Sequence, residues 1–189
     1  MRVIAGYLGG RVLKAPAGMG TRPTADRARE GIFSIVGPTN EFKVLDLYAG
    51  TGALGIEALS RGAIHAIFVE NAGSALKCLR ENLAALDLIQ YSVVVRRPVE
   101  RAHKDLVDMA PFDLIFCDPP WLTVDSVWRF LGKLDWERWL SPGGQLVLEH
   151  PASSKTTALP FGGLQVSRAR SWGDTAVTIL RKSSTLEQS

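Results

Sequence analysis

Residues 44–55 have the sequence VLDLYAGTGALG, in which a short apolar segment leads directly into a glycine-rich loop. Residues 44–47 predict a buried strand, and residues 53–60 predict a helix. The loop between them has the pattern G-x-G-x-x-G, and glycine allows both a tight turn and a close approach of a ligand to the main chain. Glu70 ends the next apolar segment about 20 residues later, where an acid can hold the hydroxyl groups of a ribose. This order of elements predicts a nucleotide-like cofactor site.

Asp46 distinguishes between the cofactors that such a loop can bind. A dinucleotide places its pyrophosphate at the helix N-terminus, and a fixed negative charge beside the loop repels it. S-adenosylmethionine carries an ammonium and a sulfonium group but no phosphate, so Asp46 favours it over NAD and FAD. Two other interpretations stay open: Asp46 could hydrogen-bond the loop amides, and the glycines could serve only the packing of helix on strand. The predicted cofactor-binding residues are Asp46, Tyr48, Gly50, Gly52, Leu54, Glu70 and Asn71.

Strand-like and helix-like segments alternate after the loop. Apolar segments typical of strands occupy residues 66–69, 92–95, 112–116 and 145–148. Helices are expected at residues 24–36, with Thr24 as the N-cap, and at residues 75–86. Near the end of the chain, residues 164–170 and 175–180 predict a hairpin. The alternation predicts an α/β fold with a doubly wound, Rossmann-like sheet.

The length of 189 residues predicts a single domain. We expect residues 1–40 to form a basic N-terminal extension, hairpin-like and followed by a helix, within the same folding unit. We expect residues 41–182 to form the cofactor-binding domain and the serine-rich residues 183–189 to form a frayed tail.

A second motif, Asp118-Pro119-Pro120-Trp121, follows the apolar segment 112–116. A strand in this position delivers its last residues to the carboxyl edge of the sheet, where such folds bind ligands. Proline stiffens the backbone, so that Asp118 and the Pro119 carbonyl can both accept hydrogen bonds from one planar amino group. Trp121 offers a flat face on which a base can stack. The predicted catalytic residues are Asp118, Pro119 and Trp121; a simple proline turn beside a core tryptophan is the alternative.

Together with the glycine loop, this second motif resembles the amino-methyltransferases that modify nucleobases. The stretches TRPTADRARE at 21–30, LDLYAGTGALGIEALSRG at 45–62 and GDT at 173–175 narrow the resemblance to the bacterial 16S rRNA guanine-N2 methyltransferases, the RsmD family. The resemblance extends from residue 1 to about residue 181. The four-residue motif by itself also occurs in adenine-N6 and cytosine-N4 enzymes, whereas its combination with the Arg-Pro-Thr segment is specific.

The resemblance implies a cytoplasmic enzyme that transfers a methyl group from S-adenosylmethionine to the N2 amino group of one guanine, guanine 966, in 16S rRNA. The RNA could be free or within small ribosomal subunit particles. The resemblance also implies a methyltransferase sheet of seven strands whose last strand is antiparallel. In the cofactor site it implies that Glu70 holds the ribose hydroxyls, and that the methionine and ribose part is held by Gly50, Gly52 and Asp46.

For the target base, the resemblance implies that Asp118 and Pro119 bind the amine and that Trp121 stacks on the flipped base. One departure concerns the cofactor adenine, since the family usually has a small polar or acidic residue after the third strand. Here the sequence is Val95-Arg96-Arg97-Pro98-Val99. Pro98 has no N–H group to donate, so the adenine contact is left unassigned.

The net charge of +3 is unevenly distributed. Residues 1–43 contain seven basic and three acidic side chains, whereas the remainder contains 15 basic and 16 acidic ones. A basic leading segment favours contact with a polyanion, and guanidinium groups match phosphate geometry. Solvated or capping arginines are the alternative. The predicted RNA-binding residues are Arg2, Arg11, Arg22, Arg27 and Arg29.

Composition excludes several classes of protein. No apolar stretch approaches the ~20 residues of a membrane span, and the first residues lack the apolar core of a signal peptide. Cys78 and Cys117 lack metal-ligand spacing, and the three histidines are scattered, so no metal is expected. The open functional alternatives are an adenine-N6 or other base amino-methyltransferase, and a non-catalytic RNA-binding assembly factor. A nicotinamide oxidoreductase is disfavoured by Asp46.

Overall fold

The computed structural model of this protein describes residues 1–16, 23–154 and 161–182, and for residues 23–25 the backbone alone. Arg22, the Thr24 side chain and the tail 183–189 therefore lie outside what is described. The strands are β1 (Lys43–Leu47), β2 (His65–Val69), β3 (Ser92–Val95), β4 (Phe112–Cys117), β5 (Leu140–Pro151), β6 (Leu164–Trp172) and β7 (Thr175–Lys182). The helices are α1 (Pro23–Val36), α2 (Ala53–Ser60), α3 (Gly73–Ala85), α4 (Val99–Leu106), α5 (Val124–Leu131) and α6 (Trp136–Trp139).

The seven strands form one sheet in the order β3-β2-β1-β4-β5-β7-β6. Strands β1 to β5 pair in parallel, and β7 runs antiparallel to both of its neighbours, β5 and β6. The predicted doubly wound α/β sheet, its seven strands and its reversed last strand are thereby confirmed. The reversal follows from the short turn at residues 173–174, since a tight hairpin can connect only antiparallel strands.

Successive side chains of the central strands point to opposite faces of the sheet, and both faces are covered. On one face Val44, Phe68 and Phe116 pack with α1, α2 and the N-terminal residues. On the other face Leu45, Ile67 and Ile115 pack with α4, α5 and α6. This double burial explains why the strands are nearly continuous apolar runs in the sequence.

The N-terminal residues form a hairpin-like segment that is fastened to α2. Arg2 and Val12 form an isolated antiparallel bridge. The backbone N–H groups of Ile4 and Ala5 donate to the buried carboxylate of Glu57, at 2.7 and 3.0 Å. The N-terminal segment is thus attached to α2, the helix that directly follows the glycine loop.

None of the helices within residues 1–16, 23–154 and 161–182 is long and apolar enough to cross a membrane.

Candidate active site

A cavity of about 710 Å³ opens at the carboxyl ends of β1, β2 and β4. Because the strand order reverses between β1 and β4, this edge is the topological switch point, where open α/β sheets bind ligands. The cavity brings the two sequence motifs together although they lie some 70 residues apart. The predicted residues that line it are Tyr48, Gly50, Glu70, Asn71, Asp118, Pro119 and Trp121. Lining residues absent from the prediction are Thr51, Ala72, Ala75, Glu100, Pro120 and Thr123.

The two loop glycines have different surroundings. Gly50 has a φ of +57°, and a Cβ added to it would meet nothing closer than the Tyr48 carbonyl oxygen at 4.0 Å. Gly52 has a φ of +83°, but its Cβ would lie 2.4 Å from the Leu79 side chain of α3. Gly50 therefore leaves open space beside the cavity, whereas Gly52 makes room for helix packing. The assignment of Gly52 as a cofactor-binding residue stays a prediction, which its main chain alone would have to fulfil.

Glu70 ties the loop to the end of β2. One carboxylate oxygen accepts hydrogen bonds from the N–H groups of Asn71 and Ala72, at 2.8 and 2.7 Å. The other oxygen accepts from the Gly50 N–H at 2.8 Å. Because each carboxylate oxygen has two lone pairs, one acceptor position is left for a ligand. Holding both hydroxyls of a ribose would require the bond to Gly50 to open.

Asp46 and Leu54 lie behind the loop and not in the cavity. The Asp46 side chain is only 2% exposed, and its carboxylate accepts a hydrogen bond from the Gly55 N–H at 2.9 Å. Burial, together with the charges of Asp118 and Glu70, raises the pKa of Asp46 to about 7, although the hydrogen bond from Gly55 opposes the shift. Leu54 packs against the apolar core. Neither residue lines the cavity, so their assignment as cofactor-binding residues stays a prediction, and the structure shows them supporting the loop from within.

Tyr48 connects the first strand to α4. Its hydroxyl donates a hydrogen bond to the Glu100 carboxylate at 2.6 Å. Burial, and then this hydrogen bond, raise the pKa of Tyr48, so that the hydroxyl stays protonated as a donor. Glu100 lies in the first turn of α4, directly after Pro98 and Val99. It places a carboxylate in the cavity after the third strand, where Pro98 has no N–H group to donate. The sequence does contain a signal for Glu100, because it is the first acidic residue after β3.

The residues after β4 present two hydrogen-bond acceptors at the cavity. Within the described ranges, no donor occupies the Asp118 carboxylate or the Pro119 carbonyl, whereas the Pro120 carbonyl accepts from both the N–H and the hydroxyl of Thr123, each at 2.8 Å. Trp121 follows on a short turn and is 48% exposed. The arrangement provides two acceptors for an amino group beside an accessible aromatic face.

Glu149 is a further acid at this edge that the predictions did not include. Cys117 pairs with Leu148 across β4 and β5, so the next residues, Asp118 and Glu149, flank each other. Burial raises the pKa of both carboxyls, and the Asp118 charge raises that of Glu149 further. Its neighbour His150 is buried and hydrogen-bonded to Thr178, outside the cavity. The concentration of acids favours a cationic ligand over an anionic one.

The predicted RNA-binding arginines do not form one surface patch. Arg2 and Arg27 are exposed and border the same recess, whereas Arg11, on the same hairpin as Arg2, lines a different cavity. Arg29 is only 5% exposed, and its guanidinium donates to the Asp26 carboxylate at 2.9 Å and to the Arg2 carbonyl. Arg29 is thus a structural residue, and its prediction as an RNA contact is corrected. Arg22 is not described.

Metal chemistry receives no support from the described ranges. They contain no group of three or more His, Cys, Asp or Glu side chains arranged to hold a metal ion. The acids of the cavity are separated by the loop and by main-chain donors.

The sheet order and the cavity at its switch point define the fold of S-adenosylmethionine-dependent methyltransferases. The solved structure of YhhF from Escherichia coli, a candidate methyltransferase, has the same fold, with a TM-score of 0.77 and 28% identity over 98% of this chain and 99% of that one.

The chain belongs to the family described as conserved hypothetical protein 95, whose profile matches residues 1–181. It is 40% identical over 186 residues to YlbH of Bacillus subtilis strain 168, a candidate rRNA methyltransferase, covering 96% of this chain and 99% of the relative. It is 32% identical over 151 residues to the ribosomal RNA small subunit methyltransferase D of Haemophilus influenzae strain Rd, covering 79% and 78%. The resemblance seen in the sequence is thereby confirmed for the family.

Proposed function

We propose that this protein transfers a methyl group from S-adenosylmethionine to the N2 amino group of a guanine in 16S rRNA, at position 966. The pair of acceptors at Asp118 and Pro119, beside the cavity that the glycine loop borders, carries the proposal. The names of the relatives support an rRNA substrate. Guanine as the base and position 966 rest on the resemblance alone. An rRNA substrate also implies a cytoplasmic protein.

The cavity residues fit this cofactor in charge and in shape. When bound, S-adenosylmethionine supplies an electrophilic methyl group on a sulfonium sulfur. Gly50 leaves open space next to the loop, and Glu70 keeps one acceptor position for a hydroxyl. Glu100 adds a carboxylate beyond Tyr48 and is our candidate for the adenine amine. The absence of a pyrophosphate in this cofactor matches the acids that surround the loop.

The target amine meets the two acceptors after β4. An exocyclic amine conjugated to a purine ring is a weak nucleophile because its lone pair is delocalised. Asp118 and the Pro119 carbonyl accept its two hydrogens, which directs the lone pair away from the ring. As the N–C bond forms, the S–C bond of the sulfonium breaks, and the nitrogen then releases one proton, for which Asp118 is our candidate acceptor. Trp121 stacks on the base and offsets part of the few kcal/mol that extrusion costs.

The decisive experiment is methyl transfer to defined RNA. Purified protein is incubated with labelled S-adenosylmethionine and unmodified 16S rRNA, both protein-free and in small-subunit particles, and the labelled nucleoside is then mapped. We expect N2-methylguanosine at one position. Methylated adenine or cytosine would replace the guanine assignment with another amino-methyltransferase, and cofactor and RNA binding without transfer would favour an assembly factor.

A matched pair of variants tests the assigned residue. Asp118→Ala removes one acceptor of the amine, and we expect a loss of at least about a hundredfold in kcat. Asp125→Ala removes an exposed acid of α5 that does not line the cavity, and its activity should equal that of the unmodified protein. Equal activity of both variants would contradict the role of Asp118.

A further inference from the structure

A second cavity, of about 610 Å³, lies at the opposite edge of the sheet from the candidate active site. Its walls come from the N-terminal hairpin and from the loops that follow α2 and α3, next to the amino ends of β2 and β3. We call this cavity the distal cleft and define it by Tyr7, Arg11, Ile64 and Tyr91. No residue of the proposed methyl transfer lies in it.

Exposed apolar side chains concentrate at the distal cleft. Tyr7 is 67% exposed, Ile64 57% and Tyr91 44%, and Ile89, on the same short turn as Tyr91, is 66% exposed. In the described part of the chain, eight large apolar side chains are exposed; three of them line the cleft, and Ile89 lies beside it. Two more, Trp121 and Leu122, lie at the candidate active site. Concentrations of this kind mark interaction surfaces.

The backbone under Tyr7 is held rigidly. The Tyr7 N–H donates to the Ser60 carbonyl at 2.9 Å, and the Leu8 N–H donates to the Ser60 hydroxyl at 3.0 Å. That hydroxyl in turn donates to the Ala5 carbonyl at 2.6 Å. Tyr7 is therefore presented to solvent by an ordered segment, and a ligand would bind its ring without first ordering the loop.

The cleft combines the flat faces of two tyrosines with a cation, Arg11, and one acid, Asp87, also lines it. In the described residues no aromatic ring stacks on Tyr7 or Tyr91. The two hydroxyls are close enough that Tyr91 helps to raise the pKa of Tyr7, although burial is the larger cause. The Arg11 guanidinium donates to the Ala85 carbonyl at 3.4 Å, and no described carboxylate is ion-paired with it. Because a guanidinium has five N–H donors, Arg11 keeps donors for an anion.

We propose that the distal cleft binds an unpaired nucleotide of the RNA substrate, with the base on the tyrosine rings and the phosphate at Arg11. This inference rests on the proposed function for the kind of macromolecule. Aromatic faces bind bases of any sequence, and arginine supplies the phosphate contact. The volume is within the range of small-ligand sites and accommodates one nucleotide.

The separation of the two sites determines what the cleft contributes. They lie at opposite ends of the five-residue strand β2, which spans about 16 Å. At about 3.4 Å per nucleotide, the rise in a stacked strand, this distance corresponds to about five nucleotides between the bound nucleotide and the target. The cleft therefore contributes to the affinity for a long RNA and not to the reaction at the target base.

Binding of an oligonucleotide tests the proposal without methyl transfer. The probe is a fluorescently labelled single-stranded 20-nucleotide RNA, titrated with the full chain in the absence of cofactor. We expect the double variant Tyr7→Ala/Tyr91→Ala to bind about tenfold or more weakly, because base stacking is lost. The double variant Tyr7→Phe/Tyr91→Phe keeps both rings and should bind as the unmodified protein does. Arg11→Ala should reduce the slope of log affinity against log salt by about one.

Controls separate this role from a structural one and from the proposed function. Val12→Ala changes a side chain that is 79% exposed on the same hairpin but outside the cleft, and should bind normally. With unmodified 16S rRNA as the methyl acceptor, the alanine variant should raise KM and leave kcat unchanged. Equal binding of the oligonucleotide by the alanine and phenylalanine variants overturns the proposal. So does an effect of the alanine variant that appears only with particles that contain ribosomal proteins and not with protein-free RNA. Failure of methyl transfer by the unmodified protein would refute the proposed function and leave the oligonucleotide result to be judged separately.

Discussion

Asn82 donates a hydrogen bond from its side-chain amide to the carbonyl oxygen of Thr51, 3.0 Å away. The same buried side chain accepts from the Lys14 N–H at 2.7 Å and donates to the Lys14 carbonyl at 3.1 Å. Thr51 lies between the two loop glycines, and Lys14 belongs to the segment that follows the N-terminal hairpin. One side chain of α3 therefore holds the cofactor loop and the N-terminal segment in a fixed relation.

Replacing Asn82 should affect both stability and cofactor binding. Asn82→Ala leaves the Lys14 N–H and the Thr51 carbonyl without their partner, and unsatisfied buried groups cost about 1–3 kcal/mol. We expect a lower free energy of unfolding and a weaker affinity for S-adenosylmethionine, measured by urea denaturation and calorimetry. Asn82→Asp keeps the acceptor for the Lys14 N–H but loses both donors, so its cofactor affinity should also fall. Unchanged affinity in both variants would contradict the role of Asn82 in positioning the loop.

Glu57 is the main attachment of the N-terminal hairpin. It is fully buried, binds two hairpin N–H groups, and pairs with Arg61 at 2.8 Å. Glu57→Ala leaves Arg29 and Arg61 without their common carboxylate, and breaking a buried pair in this way costs about 3–5 kcal/mol. We expect a comparable loss in the free energy of unfolding, and faster hydrogen exchange at the Ile4 and Ala5 amides.

The control for this prediction is a second ion pair of the N-terminal segment. Lys14 and Glu81 are 3.0 Å apart but exposed, and exposed pairs contribute little to stability. Glu81→Ala should therefore leave the unfolding transition almost unchanged. A similar loss for Glu57→Ala and Glu81→Ala would show that burial of Glu57 is not the cause.

The sheet could be predicted from the sequence because its two signals, the apolar runs of the strands and the glycine loop, are local. Strand β3 and helix α2 agree with the predicted residues 92–95 and 53–60, since apolar runs and the glycine loop mark their ends. Helices α4 and α5 escaped prediction because each has only eight residues, of which three are buried. The buried positions in each helix do have the spacing i, i+3, i+7 that is typical of an amphipathic helix, and the prediction did not use this signal.

The site was predictable in outline, and its details depend on tertiary packing. Carboxyl ends of parallel strands converge, so Glu70 and Asp118 could be placed together from the sequence. The burial of Arg29 could not, because its partner Glu57 lies on another helix. The packing role of Gly52 likewise depends on Leu79 of α3. Local patterns identify which elements meet at an edge, and long-range packing decides which side chains face the cavity.

Asp46 makes stability depend on pH. Its pKa is raised from 3.8 to about 7 by burial, so the folded state binds a proton more tightly than the unfolded state does. The contribution of Asp46 to the free energy of unfolding is fully present below about pH 4 and is lost as the pH rises to about 7. Asp46→Asn stays neutral and keeps an oxygen for the Gly55 N–H. We therefore expect the variant to equal the unmodified protein at pH 4 and to exceed it at pH 8, by at most ~4 kcal/mol.

Urea denaturation of both proteins between pH 4 and 8 measures this difference directly. Other carboxyls, such as Glu149, titrate in both proteins and cancel in the comparison. A constant difference across the whole range would show that Asp46 is not the titrating group.

Replacing Trp121 should change kcat/KM for the RNA more than the affinity for the cofactor. It is 48% exposed at the rim of the cavity, and Leu122, its neighbour, is fully exposed. Under the proposed function, Trp121→Ala removes the stacking face for the extruded base, a loss of about 1–3 kcal/mol. We expect kcat/KM for the RNA to fall at least about tenfold, whereas Trp121→Phe keeps a ring and most of the activity. Leu122→Ala is the control, since it removes a neighbouring and more exposed apolar side chain that offers no flat face. If Trp121→Ala and Leu122→Ala reduce kcat/KM equally, general apolar contact and not stacking explains the effect.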